Sequence, residues 1–247
     1  MAHVAENQDK AVELRRSFVY REKLDVATRF FNGKLARDEK ADYEMTPTAD
    51  GIDKKLGSIA GRYQKHNQYI DFHGEPVPES DSLDAGMIKD LREDLLNEKT
   101  KDGMGKDLFP LTTEEQKQYR FEMLGRKEVE GRDTYLIGFS PADRHELTWA
   151  GEAWIDVAEL QPVRVFTRLS RRVPFAVRTF LGTDLPGIGF NVQYRRIDKD
   201  VWFPVSFGSE FRLRAVFFIK RVVTISMQAS EFRKTQVETK IEYANPK

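Results

Sequence analysis

From residue 18 to residue 31 the chain alternates well. Phe18, Tyr20, Leu24, Val26 and Phe30 fall on one side, and Arg21, Lys23, Asp25 and Arg29 fall on the other. A two-residue period of this kind predicts a long strand with one dry and one wet face. Asn32-Gly33 follows, a pair suited to a tight hairpin because both central residues of such a turn take positive φ. A two-residue loop there pairs Phe31 with Lys34. It sets Phe30 against Leu35, Leu24 against Ala41 and Tyr20 against Met45, so the apolar faces of both strands coincide. Asp50-Gly51 turns the chain into a third strand over 53–64.

The same grammar returns after Tyr119. Strands over 121–129 and 133–139 form a hairpin round Gly131, read with a three-residue loop (130–132) that matches Met123 with Phe139 and Gly125 with Ile137. Further strands are expected over 149–156, 163–172, 188–197, 201–213, 215–233 and 237–243. The turn at Lys199-Asp200 sets Val192 against Phe207 and Tyr194 against Val205. Helices are expected over 7–16, over 82–99 and from Thr112 or Thr113 to about Gln118. In the second, Leu83, Met87, Ile88, Leu91 and Leu95 make one stripe and Ser82 is the N-cap. In the third, residues 113–116 fit a capping box. Residues 67–82, with Gly74, Pro76 and Pro78, read as loop. No strand–helix–strand alternation suggests a parallel sheet. The fold class is therefore mainly β (α+β): about ten to eleven antiparallel strands with a few short helices.

Composition narrows the function. With 40% hydrophobic residues the chain can bury a core, and with no Cys it has neither disulfides nor thiolate chemistry. Forty basic residues balance forty acidic ones, which argues against nucleic acid as a partner. The balance hides an asymmetry. Residues 67–115 hold 13 acids against 5 bases, and residues 160–233 hold 13 bases against 5 acids. The two regions either dock on each other or form a basic mouth with an acidic gate. No window is apolar enough for a membrane-spanning helix. Residues 1–10 lack the apolar core of a signal peptide, so export would require that one had been removed.

Catalytic constellations are missing. The four histidines (His3, His66, His73 and His145) do not pair at metal-ligand spacing. There is no G-x-S-x-G elbow, and Gly105-Lys106 is followed by Asp107 rather than Ser or Thr. A composite site round His145, Glu152 and Asp156 is the remaining enzymatic option. No metal, cofactor or catalytic residue is assigned.

What the sequence has is an excess of large apolar residues facing one way: Phe121, Tyr135, Ile137, Phe139, Val165, Phe190, Val192, Tyr194, Phe207, Phe211, Phe217 and Ile219. They are core if the sheet is filled. Two helices cover only part of so large a sheet, and an unfilled bend would leave an apolar trough suited to lipid. The segment from Arg171 to Gly182 reads as a two-turn helix with Pro174 first and Gly182 past its end. Pro174, Phe175, Phe180 and Leu181 would form either a buried plug or a hydrophobic lid. In the second case Arg171, Arg172 and Arg178 would sit near phospholipid headgroups.

Three stretches carry a family resemblance: FEMLGRKEVEGRDTYLIGFSP, WAGEAWIDVAELQPVRV and GFNVQYRRIDKDVWFPVSF, with Ser230–Arg233 closing. Their shared pattern is Gly125, Gly131, Gly151, Ile155, Asp156, Gln161, Pro162, Trp202 and Pro204. Over 119–233 the chain resembles the outer-membrane lipoprotein-sorting (LolA/LolB-like) superfamily, in an uncharacterised bacterial branch. The resemblance implies a single domain over 1–247, an open half-barrel with helices on its concave side, and 67–115 as an acidic insertion. It further implies a periplasmic, non-catalytic carrier of lipid or lipoprotein acyl chains. Such a carrier is expected to be monomeric, in transient contact with a membrane surface. A structural or regulatory envelope module that binds a protein partner is the other reading, and a cytoplasmic location the alternative to the periplasm.

Overall fold

The computed structural model describes residues 1–48, 51–75, 82–95, 110–143, 148–170, 188–215 and 219–235. In chain order the elements are α1 (Ala2–Arg15), β1 (Phe18–Phe30), β2 (Leu35–Pro47), β3 (Ile52–Lys65), β4 (Gln68–His73), α2 (Leu83–Leu95) and α3 (Thr113–Gln116). Then follow β5 (Tyr119–Val129), β6 (Arg132–Pro141), β7 (Trp149–Asp156), β8 (Pro162–Leu169), β9 (Gly189–Asp198), β10 (Val201–Ala215) and β11 (Ile219–Lys234). All the strands join one antiparallel sheet in the order β4-β3-β2-β1-β11-β10-β9-β8-β7-β6-β5. First and last strands meet in the middle. Among the described residues β4 and β5 are left as free edges, so the sheet is an open half-barrel rather than a closed barrel.

One row of side chains crosses ten strands through the registers. From β5 to β3 it runs Met123, Ile137, Ala153, Val165, Val192, Phe207, Met227, Leu24, Ala41 and Ile59. Side chains alternate across a strand, so a row that stays apolar over this distance defines the inner face. From Ala153 to Ile59 every member is at most 5% exposed. The helices lie on this face. α1 packs on β10, α2 on β1 and β2, and α3 on β5 and α1, with Val4 and Ile88 joining the strand residues in one core.

Several turns differ from expectation. The first loop has three residues, Phe31, Asn32 and Gly33: the Phe30 amide donates to the Lys34 carbonyl at 2.9 Å, and Gly33 has φ +84°. A bulge at Ala36 restores the register. Leu24 and Tyr20 therefore meet Ala41 and Met45 as expected, whereas Leu35 faces Arg29 rather than Phe30. The second loop has two residues, not three. Glu130 and Gly131 take φ of 53° and 74°, and Phe121 pairs with Phe139 and Met123 with Ile137. Val192 meets Phe207 as expected, but a bulge at Val205 moves Tyr194 onto Pro204.

Residues 68–73, read as loop, are the edge strand β4. Arg62 clasps Asp71 through two hydrogen bonds of 2.5 and 3.2 Å, and Tyr63 contacts the Phe72 ring. α1 begins five residues earlier than expected, at Ala2. In α2, Ile88 is buried as expected, but Leu83 is 72% exposed and the buried face carries Asp84 and Ala85 instead. The capping box of α3 is Thr112 with Glu115, not residues 113–116: Thr112 Oγ1 accepts from the Glu115 amide, and Glu115 Oε2 accepts from the Thr112 amide at 3.1 Å. The expected strand over 237–243 lies outside the described residues.

Candidate binding groove

The motif residues Asp156, Gln161 and Trp202 form a fastening rather than a reactive site. Asp156 Oδ1 accepts from the amides of Ala158 and Glu159 at 2.8 Å each, which closes the turn between β7 and β8. Its Oδ2 accepts from Arg132 at 2.8 Å. Burial pushes the Asp156 carboxyl up, but Arg132 and the two turn amides outweigh it and hold the carboxyl below its usual value. Trp202 Nε1 donates to Glu159 at 2.8 Å. Gln161 accepts from Gln8 of α1, whose Oε1 in turn accepts from the buried Arg15. Arg15 Nε donates to the Trp202 carbonyl at 2.7 Å. The first helix is thus stitched to the sheet by buried polar side chains, a role that apolar periodicity does not reveal. Gly151 has a separate reason: a Cβ there would meet the Phe166 carbonyl oxygen at 1.9 Å, so only Gly fits between β7 and β8.

The composite His145, Glu152 and Asp156 set is not assembled among the described residues. His145 lies outside them. Glu152 pairs with Gly138, whereas Asp156 pairs with Thr134 two pleats away and is occupied by the turn. Among the described residues no group of three His, Asp or Glu side chains could hold a metal ion. None of the described helices is long and apolar enough to cross a membrane.

The twelve apolar candidates sort by position. Val165, Phe190, Val192, Tyr194, Phe207 and Phe211 are buried on the inner face, with Phe190 stacked on Phe207 at 5.1 Å and Trp149 edge-on to Phe190 at 5.1 Å. Phe139 is buried under Tyr119. Phe121, Tyr135 and Ile137 are only half-buried. Ile219 starts β11, and Phe217 lies outside the described residues. The lid residues Pro174, Phe175, Phe180 and Leu181 and the headgroup arginines Arg171, Arg172 and Arg178 lie outside them too.

A cavity of about 740 Å³ lies against β5–β8. Its described lining includes the apolar groups Phe121, Leu124, Phe139, Ala150 and Phe166, the bare backbone of Gly138 and Gly151, and the charged side chains Arg120, Glu122, Glu152 and Arg168. By register most of these belong to the outer face. Glu122 pairs with Gly138, Gly138 with Glu152 and Glu152 with Phe166, while their neighbours Phe121, Phe139 and Gly151 point inward. The bulge at Leu124 leans that side chain over Gly138, where an added Cβ would meet Leu124 Cδ1 at 3.2 Å. Leu124 and Phe166 are 48% and 37% exposed, so this apolar surface is open to a guest. Of the candidates whose side chains are described, only Phe121 and Phe139 touch it. Leu124 and Phe166 were missed because, on the alternation of their strands, they fall on the wet face. The bulge that repositions Leu124 leaves no mark in the apolar pattern.

No family model and no curated relative matches the chain. Solved structures similar to it include a putative outer membrane lipoprotein-sorting protein domain from Vibrio parahaemolyticus, at 13% identity over 96% of this chain and 93% of that one, TM-score 0.42. A LolA superfamily protein from Nitrosomonas europaea is similar at 10% identity over 96% and 94%, TM-score 0.35. The MucA/MucB complex of Pseudomonas aeruginosa is similar at 10% identity over 95% and 100%, TM-score 0.25. These are distant likenesses that run along nearly the whole chain.

Proposed function

We propose that the chain is a non-catalytic binder or carrier of lipid or lipoprotein acyl chains in the periplasm, with the β5–β8 groove as the seat of the chain. One observation carries this reading: an open groove whose lining sets exposed apolar side chains beside four charged ones, of a size within the roughly 300–1,000 Å³ usual for small-molecule sites. Hydrocarbon is the natural guest for Leu124, Ala150 and Phe166. Each CH₂ removed from water contributes about 0.8 kcal/mol, so a chain of roughly 16 carbons gains on the order of 10 kcal/mol before ordering costs. That supports micromolar binding without any new polar contact.

The test is displacement of a fluorescent fatty-acid probe, with native mass spectrometry of the purified protein. Probe uptake is expected to saturate. Gly138→Val, which fills the floor, and Phe166→Glu, which charges it, should each weaken uptake with the melting temperature little changed. A wild-type protein that takes up no acyl probe and carries no extractable lipid would overturn the reading. A protein-binding module is favoured by a different feature, the free edge of β5 with Met123 53% exposed, since open edges accept an added strand. In that case Met123 and Leu124 variants would lose a partner protein while lipid variants had no effect.

A further inference from the structure

Granting the acyl-chain reading, we propose that the same groove recognises a zwitterionic headgroup, a phosphate joined to an ammonium, on the lipid it binds. Four charged side chains line the cavity, and they are sorted into two rows. Arg120 lies opposite Ser140 and Arg168 opposite Ala150, so both cations stand at one level of the sheet. Glu122 and Glu152 both lie opposite Gly138, one pleat further along. Arg120 and Glu122 are ~7 Å apart along β5, and Arg168 lies one strand and one pleat from Glu152, separations that side-chain reach adapts to the two charges of one small head, while Arg120 and Arg168 themselves stand three strands apart.

Charge pairing supports this assignment. Neighbouring arginines on the same hairpins are already used: Arg126 pairs with Asp133 at 3.1 Å, Arg132 with Asp156 at 2.8 Å and Arg164 with Glu130 at 3.5 Å. Among the described residues Arg120, Arg168, Glu122 and Glu152 make no ion pair, although they alternate in sign. A purely anionic head would satisfy the arginines and be repelled by the glutamates. A cationic head would do the reverse, and an uncharged one would leave all four without a partner. Only a head bearing both charges complements both rows.

The experiment uses the full chain and competition against the fluorescent probe by single-chain amphiphiles of equal chain length: lysophosphatidylethanolamine, lysophosphatidylglycerol, the free fatty acid, an alkyltrimethylammonium and an uncharged monoacylglycerol. The zwitterion is expected to compete at about tenfold lower concentration than either singly charged head, the effect of two exposed charge pairs. Arg120→Gln with Arg168→Gln should shift the ranking towards the cation, and Glu122→Gln with Glu152→Gln towards the anions, each read as a ratio between heads. Equal midpoints for all heads, or an anionic head ranked first on the wild type, would overturn the headgroup assignment and leave the acyl-chain reading standing. Failure of every amphiphile, monoacylglycerol included, would overturn the acyl-chain reading itself.

Discussion

The inner row that is dry at Val165 is wet at Met123. In the wing made by β1, β2 and β3 the row lies under α2, which is pinned at both ends. Asp84 takes two hydrogen bonds from Arg221, at 2.7 and 2.8 Å, and Glu39 takes one from Arg92. Arg221 also stacks on Phe30 at 4.2 Å. In the other wing the one-turn α3 packs on β5 and α1, Ile137 is half-buried and Met123 mostly exposed. Both wings are written in the same alternation. Their difference lies in what covers them, and cover is set by long-range charge pairs and loop lengths rather than by strand pattern. The sheet thus has one sealed wing and one open wing, and the groove lies against the open one, mostly on its outer face.

Phe207→Asp should break the sealed part most severely. Phe207 is 1% exposed and stacked on Phe190. A carboxylate there loses roughly 3–5 kcal/mol of packing and adds a buried charge without a partner. Complete loss of the cooperative thermal transition is expected. If the variant melts like the wild type, the centre of the row is not sealed and the comparison between the wings fails.

Arg221→Met tests the pinning of α2. Removing one partner of a largely buried pair leaves Asp84 uncompensated, at a cost of about 2–4 kcal/mol. Urea unfolding should show that loss, with proteolysis moving to α2. Glu22→Gln probes the same wing through pH. Glu22 is buried, and desolvation raises its carboxyl to about 7 against the opposing pull of Lys54. Below pH 4.5 both folded and unfolded states hold the proton and nothing is lost. Between 4.5 and about 7 the folded state keeps a proton that the unfolded chain has released, so stability falls as pH rises. The full penalty, on the order of 3 kcal/mol, is reached above pH 7. Glu22→Gln should therefore match wild type near pH 4.5 and exceed it at pH 8 in parallel urea titrations. A wild-type stability that rises between those pH values would contradict this assignment.

These groups also show what was legible in the sequence. Alternation fixed the strands and their faces because one period governs both burial and pairing, and Leu24, Tyr20 and Val192 found their expected partners. The two-residue turn at Lys199-Asp200 was legible, but the lengths of the loops after Phe30 and Val129 were not. Glu130 takes a left-handed φ although it is not Gly, and the bulges at Ala36, Leu124 and Val205 shift the register by one residue without disturbing the apolar pattern. Edge strand β4 was hidden behind Gly74 and the prolines, because it is made by backbone pairing with β3 from Ala60↔His73 to Lys65↔Gln68 while its own side chains are mostly exposed and show no apolar face. Glu22, Arg37 and Glu39 lie on the dry face, where pattern alone expects apolar side chains. Of the groove, Phe121 and Phe139 were visible as apolar positions, whereas Leu124 and Phe166 became apparent only once the bulge and the register were known.

The smallest stability effect should come from the open wing, and it sharpens the comparison most. Leu124→Lys puts a charge on a side chain already 48% exposed, at a bulge in an edge strand. Solvent reaches the new ammonium, so the change in unfolding free energy should stay within about 0.5 kcal/mol. The same charge in the sealed row, at Met227, which is 1% exposed, should prevent folding. If the open wing exists to bind hydrocarbon, Leu124→Lys should nonetheless lose most of its acyl-probe uptake, because the stem now ends in a hydrated group over the bare backbone of Gly138. Unchanged stability with lost uptake separates binding from folding on a single strand. Unchanged stability with unchanged uptake would mean that the groove floor is not where the chain lies.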